Sequence, residues 1–361
     1  MMKELDPDRP STAKGANQGY YRKLFEQLDR LSKLQLAVFP NSPVQDSESA
    51  VDTRYEKLRT VFRHLSHGVG LVRPEAIFHK QLLRAYRGWL VGEAPVPLDR
   101  DAVFTGERNG WNDRLRVELN YTLPGYAEAL RNISATRTQH IQQVCHHWQQ
   151  ASDFDFDLVF AGELREVVLG PWRQFMDYQQ RLFAAENVGG AVDISTLYPP
   201  EASSLISHML GDLPRTASQP DTRLQRIQEF FHSDAARSVP YARVCALFWA
   251  AFARDVRQGR KPENFPGASV FNDVDLIAAY GPFCDAMFMD KQISHLASQG
   301  GLREQLQGIS LYSFRDNEHH AFVEYLECIE REASPEHLRL VKEVYGSDWP
   351  KPYIELLEHH R

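Results

Sequence analysis

The chain has 361 residues, of which 43% are hydrophobic and 25% charged, and its formal net charge at pH 7 is −7. This composition is typical of one large globular domain or two ordinary ones. The negative charge argues against a protein that coats nucleic acid electrostatically, although it leaves room for a nuclease with an acidic site. No apolar run approaches the roughly 18 residues that a membrane span needs, and the charged start has no signal-peptide core. The four cysteines form no CxxC pair, which favours free thiols in the cytoplasm.

The first quarter of the chain predicts helices around one short strand. Residues 1–19 are polar and rich in Pro, Gly and Asp, which indicates a loop-like or disordered start. Apolar residues at helical spacing predict a helix over 20–34, and the apolar run 35–39 predicts a strand. The polar loop after this strand carries Asp46 and Glu48. Two further helices are predicted over 55–65 and 74–92.

The middle of the chain, residues 93–238, is mostly helical in its pattern and contains no internal repeat. We interpret it as a helical insertion that offers a surface to a protein partner or a second copy of the chain. The segments 20–92 and 239–361 flank it and contain the strand candidates. They are therefore predicted to form one α/β domain together.

The most informative stretch is FNDVDLIAAYGPFCDAMFMD, residues 271–290. It combines an apolar helical turn, a Gly-Pro break and the apolar run 286–289, which predicts a second strand. Four aspartates surround these pieces: Asp273, Asp275, Asp285 and Asp290. An ordinary helix–strand unit explains the same residues if Asp273 caps the helix and the other aspartates are solvated strand ends.

A third strand is predicted over 309–313. Short apolar strands separated by helices favour a parallel sheet, whose ligands gather at the carboxyl ends of the strands. Asp46 and Glu48 follow one predicted strand, and Asp290 follows another. Carboxylates that meet at such an edge bind Mg²⁺ or Mn²⁺, and the metal lowers the pKa of a bound water for attack on a phosphodiester.

Several pieces, in order, resemble a PIN-like nuclease domain, and most closely a group of large bacterial PIN-like proteins. The group's pattern is similar to N-D-x-x-x-I-A-x-x-x-P-Y-x-D-A-M-F-x-D. Upstream, LAVFPNSPVQDSES resembles its second strand and the following element, which places Ser42 and Glu48. Downstream, GISLYSFRDNEHHAFVEYLECI resembles its final strand and helix, which places Ser313 and Asn317. The residues that fit the central pattern are Asn272, Asp273, Ile277, Ala278, Pro282, Phe283, Asp285, Ala286, Met287, Phe288 and Asp290.

The resemblance covers residues 20–90 and 240–330. It implies a helix-rich α/β fold: a small parallel sheet of PIN-like type with a large helical insertion. The implied function is a Mg²⁺- or Mn²⁺-dependent nuclease with RNA or another nucleic acid as its substrate. The implied site residues are catalytic Glu48, Asp273 and Asp290, with Asp285 as a further metal ligand, Asp275 in a secondary role, and Ser42, Ser313 and Asn317 as phosphate-positioning residues.

One part of the family pattern has no match. PIN-like domains begin with a central strand that ends in an aspartate, whereas residues 1–19 contain no apolar strand. The sequence therefore predicts a gap in the sheet or a substitute from elsewhere in the chain. The alternative function is a catalytically inactive PIN-like scaffold that acts as a binding or regulatory module, and an all-helical interaction protein is a third reading. The histidine pairs at 146–147 and 319–320 are weaker metal candidates, because adjacent side chains on a helix diverge by about 100°.

Overall fold

The computed structural model describes most of the chain and shows a helix-rich protein with one small parallel sheet. The predicted start, 1–19, lies outside the described residues except for Gly19. Within the described part, no helix is long and apolar enough to cross a membrane. The four cysteines are free thiols. The described residues are 19–50, 55–105, 125–151, 153–188, 198–214, 220–259, 265, 267–306, 308–313 and 318–346.

The first quarter forms helices whose ends follow ordinary start and stop rules. Prolines stand in the first turn of α2 and α4, where the missing N–H costs nothing. Gly92 ends α4 in the left-handed conformation (φ 73°), and His67 (φ 47°) with Gly68 follows the end of α3. These helices are α1 (Tyr20–Lys33), α2 (Pro43–Ser49), α3 (Tyr55–Ser66) and α4 (Pro74–Val91).

The middle of the chain packs into the same hydrophobic core as the segments on either side of it. The most buried helix is α10, which packs along α6. Four of its alanines, Ala242, Ala246, Ala250 and Ala253, are fully buried, so neighbouring helices approach closely. The helices here are α5 (Tyr126–Gln150), α6 (Phe156–Val188), α7 (Glu201–Asp212), α8 (Pro220–Phe231), α9 (Asp234–Arg237) and α10 (Pro240–Arg257).

The last third contains both strands. Strand β1 (Ala286–Phe288) pairs in parallel with β2 (Ser310–Tyr312), with Met287 opposite Leu311. The ladder is extended at one end by the Met289 N–H, which donates to the Tyr312 carbonyl over 2.8 Å. The strands predicted over 286–289 and 309–313 are thereby confirmed. The helices are α11 (Ser269–Tyr280), α12 (Lys291–Ala297), α13 (Gly300–Gln305), α14 (Glu318–Arg331) and α15 (Pro335–Tyr345).

The strand predicted over 35–39 is wrong. Gln35 adopts a positive φ of 56° after α1, and the apolar side chains that follow it pack in a small cluster with α14. β-type pairing begins only at Asn41, which forms a parallel bridge with Gly70. The run is apolar because it packs against helices, so its composition alone did not distinguish a strand from a partly buried loop. Among the described residues, the sheet has two strands.

Candidate functional site

Asp273 lies inside α11. The helix begins at Ser269, and its N-cap residue is Ala268, which offers no side-chain cap. The reading in which Asp273 caps this helix is therefore wrong. Its carboxylate stands on the helix surface, where its neighbours come from other parts of the chain.

Two of those neighbours are carboxylates. The pKa of Asp273 is raised from 3.8 to about 7, first because the group is largely buried and then because of the negative charges of Asp290 and Glu48. Electrostatic repulsion of this kind weakens with distance, so the three acids share one neighbourhood. Glu48 on α2 and Asp290 directly beyond β1 are thus both within electrostatic reach of Asp273 on α11.

Glu48 is exposed near the end of α2, and a hydrogen bond holds it against α11. The Asn272 side-chain amide donates to Glu48 Oε1 over 2.8 Å. Asn272 belongs to the Asn-Asp pair of the sequence pattern, but sequence reasoning assigned it no role. The sequence did contain a signal for this role. Asn272 directly precedes Asp273, so its side-chain amide can hydrogen-bond to a carboxylate that lies near Asp273.

Asp290 has a second role as a helix cap. Its Oδ1 accepts the Ile293 N–H over 2.7 Å, which fixes the carboxylate at the start of α12. The cap holds one carboxylate oxygen at a defined place beyond the carboxyl end of β1.

The two serines of the predicted phosphate site are buried. Ser42 is 2% exposed and caps α2, with its Oγ accepting the Val44 N–H over 3.2 Å. Ser313 is fully buried directly after β2. Ser42 therefore serves as the N-cap of α2, and its hydroxyl is not exposed for a phosphate to reach. Asn317 lies outside the described residues.

Asp285 does not join the three acids. It precedes β1 whereas Asp290 follows it, and five residues of extended chain span about 16 Å. Its carboxylate is exposed and forms a two-bond ion pair with Arg100, with N–O distances of 3.0 and 3.2 Å. The sequence pattern placed Asp285 and Asp290 next to the same strand, but it did not take into account that they lie at opposite ends of it.

Asp275 points away from the three acids as well. Residues two apart on a helix are rotated by about 200°, so Asp273 and Asp275 face different sides of α11. The Tyr241 hydroxyl donates to Asp275 Oδ1 over 2.7 Å. Burial raises the pKa of Asp275 to about 6, although the hydrogen bond from Tyr241 opposes this rise. The Asp275–Tyr241 pair therefore belongs to the contact between α11 and α10.

The acidic site is open and does not form a complete coordination shell. Within the described ranges, no three His, Cys, Asp or Glu side chains lie close enough to hold a metal together. Mg²⁺ commonly keeps several waters and binds through one or two carboxylates and substrate phosphates, which suits an open acidic edge of this kind. Protein-family models, curated proteins and solved structures give no match to this chain, so function must be argued from the site.

Proposed function

We propose that this chain is a Mg²⁺- or Mn²⁺-dependent nuclease of PIN-like type that hydrolyses RNA. The observation that supports it is the approach of Glu48 to α11, where Asn272 donates to its carboxylate, beside an Asp273 that also feels the charge of Asp290. Placing like charges near a largely buried acid costs free energy of folding. Strongly perturbed acids of this kind are typical of functional sites.

The proposed scaffold is the PIN-like α/β domain of residues 20–92 and 239–361, with 93–238 as its helical insertion. The parallel pairing of β1 and β2 supports it, because Asp290 then lies beyond a carboxyl strand end, where ligands gather in parallel sheets. The order of the matched sequence pieces supports it too.

Each acid has a distinct part in the proposed reaction. Burial and the charges of Asp290 and Glu48 raise the pKa of Asp273 to about 7, and a bound cation would lower that pKa by offsetting those charges. Asn272 orients Glu48, and the cap of α12 orients Asp290. A bound Mg²⁺ or Mn²⁺ would supply a water of lowered pKa and neutralise charge on the phosphate.

The second candidate is a catalytically inactive PIN-like scaffold that binds RNA or regulates a partner. One observation favours it: in the described part of the chain the acids do not approach to metal-ligand spacing as a group of three. Such a protein would bind an oligonucleotide and leave it intact. The two candidates therefore differ in cleavage.

The deciding experiment measures Mn²⁺-dependent cleavage of a labelled RNA by three variants. Asp273→Asn and Asp290→Asn should each lower the rate by at least about 100-fold, since both remove a charge from the site. Asn caps a helix as well as Asp does, so Asp290→Asn keeps the start of α12. Asp285→Asn is the matched control and should stay close to the wild-type rate.

Three outcomes separate the candidates. Loss of cleavage in the two site variants but not in the control supports the nuclease. RNA binding without cleavage by the wild type, with Mn²⁺ or Mg²⁺ present, favours the scaffold. Equal cleavage rates in Asp273→Asn, Asp290→Asn and the wild type would show that these acids are not the catalytic site.

A further inference from the structure

Basic side chains stand beside the acidic site. Lys291 directly follows Asp290, and His319 and His320 lie in the first turn of α14. Because β1 and β2 are parallel and in register, the chain leaves both strands at the same edge of the sheet. Lys291 and His320 are exposed, whereas His319 is 7% exposed.

Two of the three basic residues are in direct contact, and the third lies within electrostatic reach of them. The rings of His319 and His320 lie 4.0 Å apart between centroids. Burial lowers the pKa of His319, and the positive charges of His320 and Lys291 lower it further. The Tyr20 hydroxyl donates to the His319 carbonyl over 3.0 Å, which anchors the start of α14 to α1.

Lys291 makes no ion pair with any other described residue, even though it is next to an aspartate in the chain. Its ammonium therefore faces water at an edge that also carries three acids. Lysine binds phosphate as a point charge, and a histidine ring N–H also donates to phosphate oxygens. A nucleic-acid backbone needs such donors here, because the acidic site and the net charge of −7 both repel it.

We propose that Lys291 and His320 form a phosphate-binding subsite for the RNA backbone beside Asp290, with the buried His319 supporting the His320 ring. This inference rests on the proposed function, since it places the same substrate at the same edge of the sheet. Lys291 supplies charge and His320 supplies a directed hydrogen bond. The subsite takes a phosphate adjacent to the bond that is cut.

The test measures binding of a fluorescein-labelled 12-nucleotide oligouridylate in EDTA, by anisotropy, over a series of KCl concentrations. Lys291→Gln should weaken binding about tenfold at low salt and lower the slope of log K against log salt by about 0.7, the value for one single-strand phosphate contact. His320→Gln should weaken binding by a smaller factor. Lys342→Gln and His232→Gln, which change exposed residues of α15 and of the turn after α8, are the matched controls.

Binding in EDTA and cleavage with Mn²⁺ are read separately. Weaker binding by both subsite variants but by neither control supports the subsite. If the wild type then binds RNA without cleaving it, the proposed nuclease activity is wrong but the subsite stands. If Lys291→Gln binds like Lys342→Gln, the subsite is wrong even when the wild type cleaves. A wild type that does not bind the oligonucleotide in EDTA also overturns it.

Discussion

Charged side chains are used in opposite ways in two regions of this protein. Between α1 and α3, Asp29 is fully buried and Lys33 is 3% exposed. Asp29 accepts from the Lys33 ammonium over 2.8 Å and lies 2.6 Å from His64 Nε2. At the acidic site, by contrast, the neighbouring charges have the same sign. One region neutralises its buried charge, whereas in the other the charges that act on Asp273 add to its own.

The pKa values record this difference. Burial by itself would raise the pKa of Asp29, but the hydrogen bonds and charges of His64 and Lys33 outweigh it and hold the pKa below its usual value. Burial raises the pKa of Asp273 as well, and there the neighbours Asp290 and Glu48 add to the rise. The first arrangement keeps a carboxylate ionised inside the fold, while the second keeps one ready to exchange a proton.

The largest effect is expected from breaking the buried network. Lys33→Met preserves side-chain length but leaves Asp29 buried with one partner fewer, so the free energy of unfolding should fall by about 3 kcal/mol. Urea denaturation at pH 7 measures it. Arg339→Met is the control, because it breaks an exposed helical pair with Glu343 that contributes about 0.5 kcal/mol or less. Similar small losses in both variants would mean that the network does not stabilise the fold.

A smaller effect of opposite sign is expected from Asp273→Asn. The folded-state pKa of about 7 lies above the ordinary 3.8, so between these values the folded chain holds a proton that the unfolded chain has released. This group therefore lowers stability as pH rises through that window. The variant should gain about 1–2 kcal/mol over the wild type at pH 8 and less at pH 5, while losing cleavage. Urea denaturation at both pH values checks it, and a gain that does not change with pH would contradict the assignment.

The smallest effect is expected from Asp285→Asn. The ion pair with Arg100 is exposed on both sides, so its loss should cost less than about 1 kcal/mol and even less at high salt. Mn²⁺ affinity, measured by calorimetry, should match that of the wild type because Asp285 lies at the other end of β1. A marked loss of Mn²⁺ binding would place Asp285 among the ligands after all.

Local patterns in the sequence determined most of the elements near the site. The helical spacing over 55–65 and the apolar runs 286–289 and 309–313 correspond to α3, β1 and β2, because these signals arise within a few residues. The sequence also singled out Glu48, Asp273 and Asp290 together, through the order of the matched pieces. It did not locate the start of α11, since Ala268 carries no recognisable cap.

Tertiary structure alone decided which charges meet. In the sequence, Asp29 and Lys33 look like an exposed pair four residues apart on a helix, yet packing against α3 buries both. The Asn272–Glu48 bond joins residues more than two hundred positions apart, and no local pattern encodes it. Spacing along the chain determines which face of its helix or strand a side chain occupies. Whether that face meets an opposite charge or a like charge depends on how the helices and strands pack. Packing therefore makes the charges around Asp29 a stabilising network and those around Asp273 a candidate functional site.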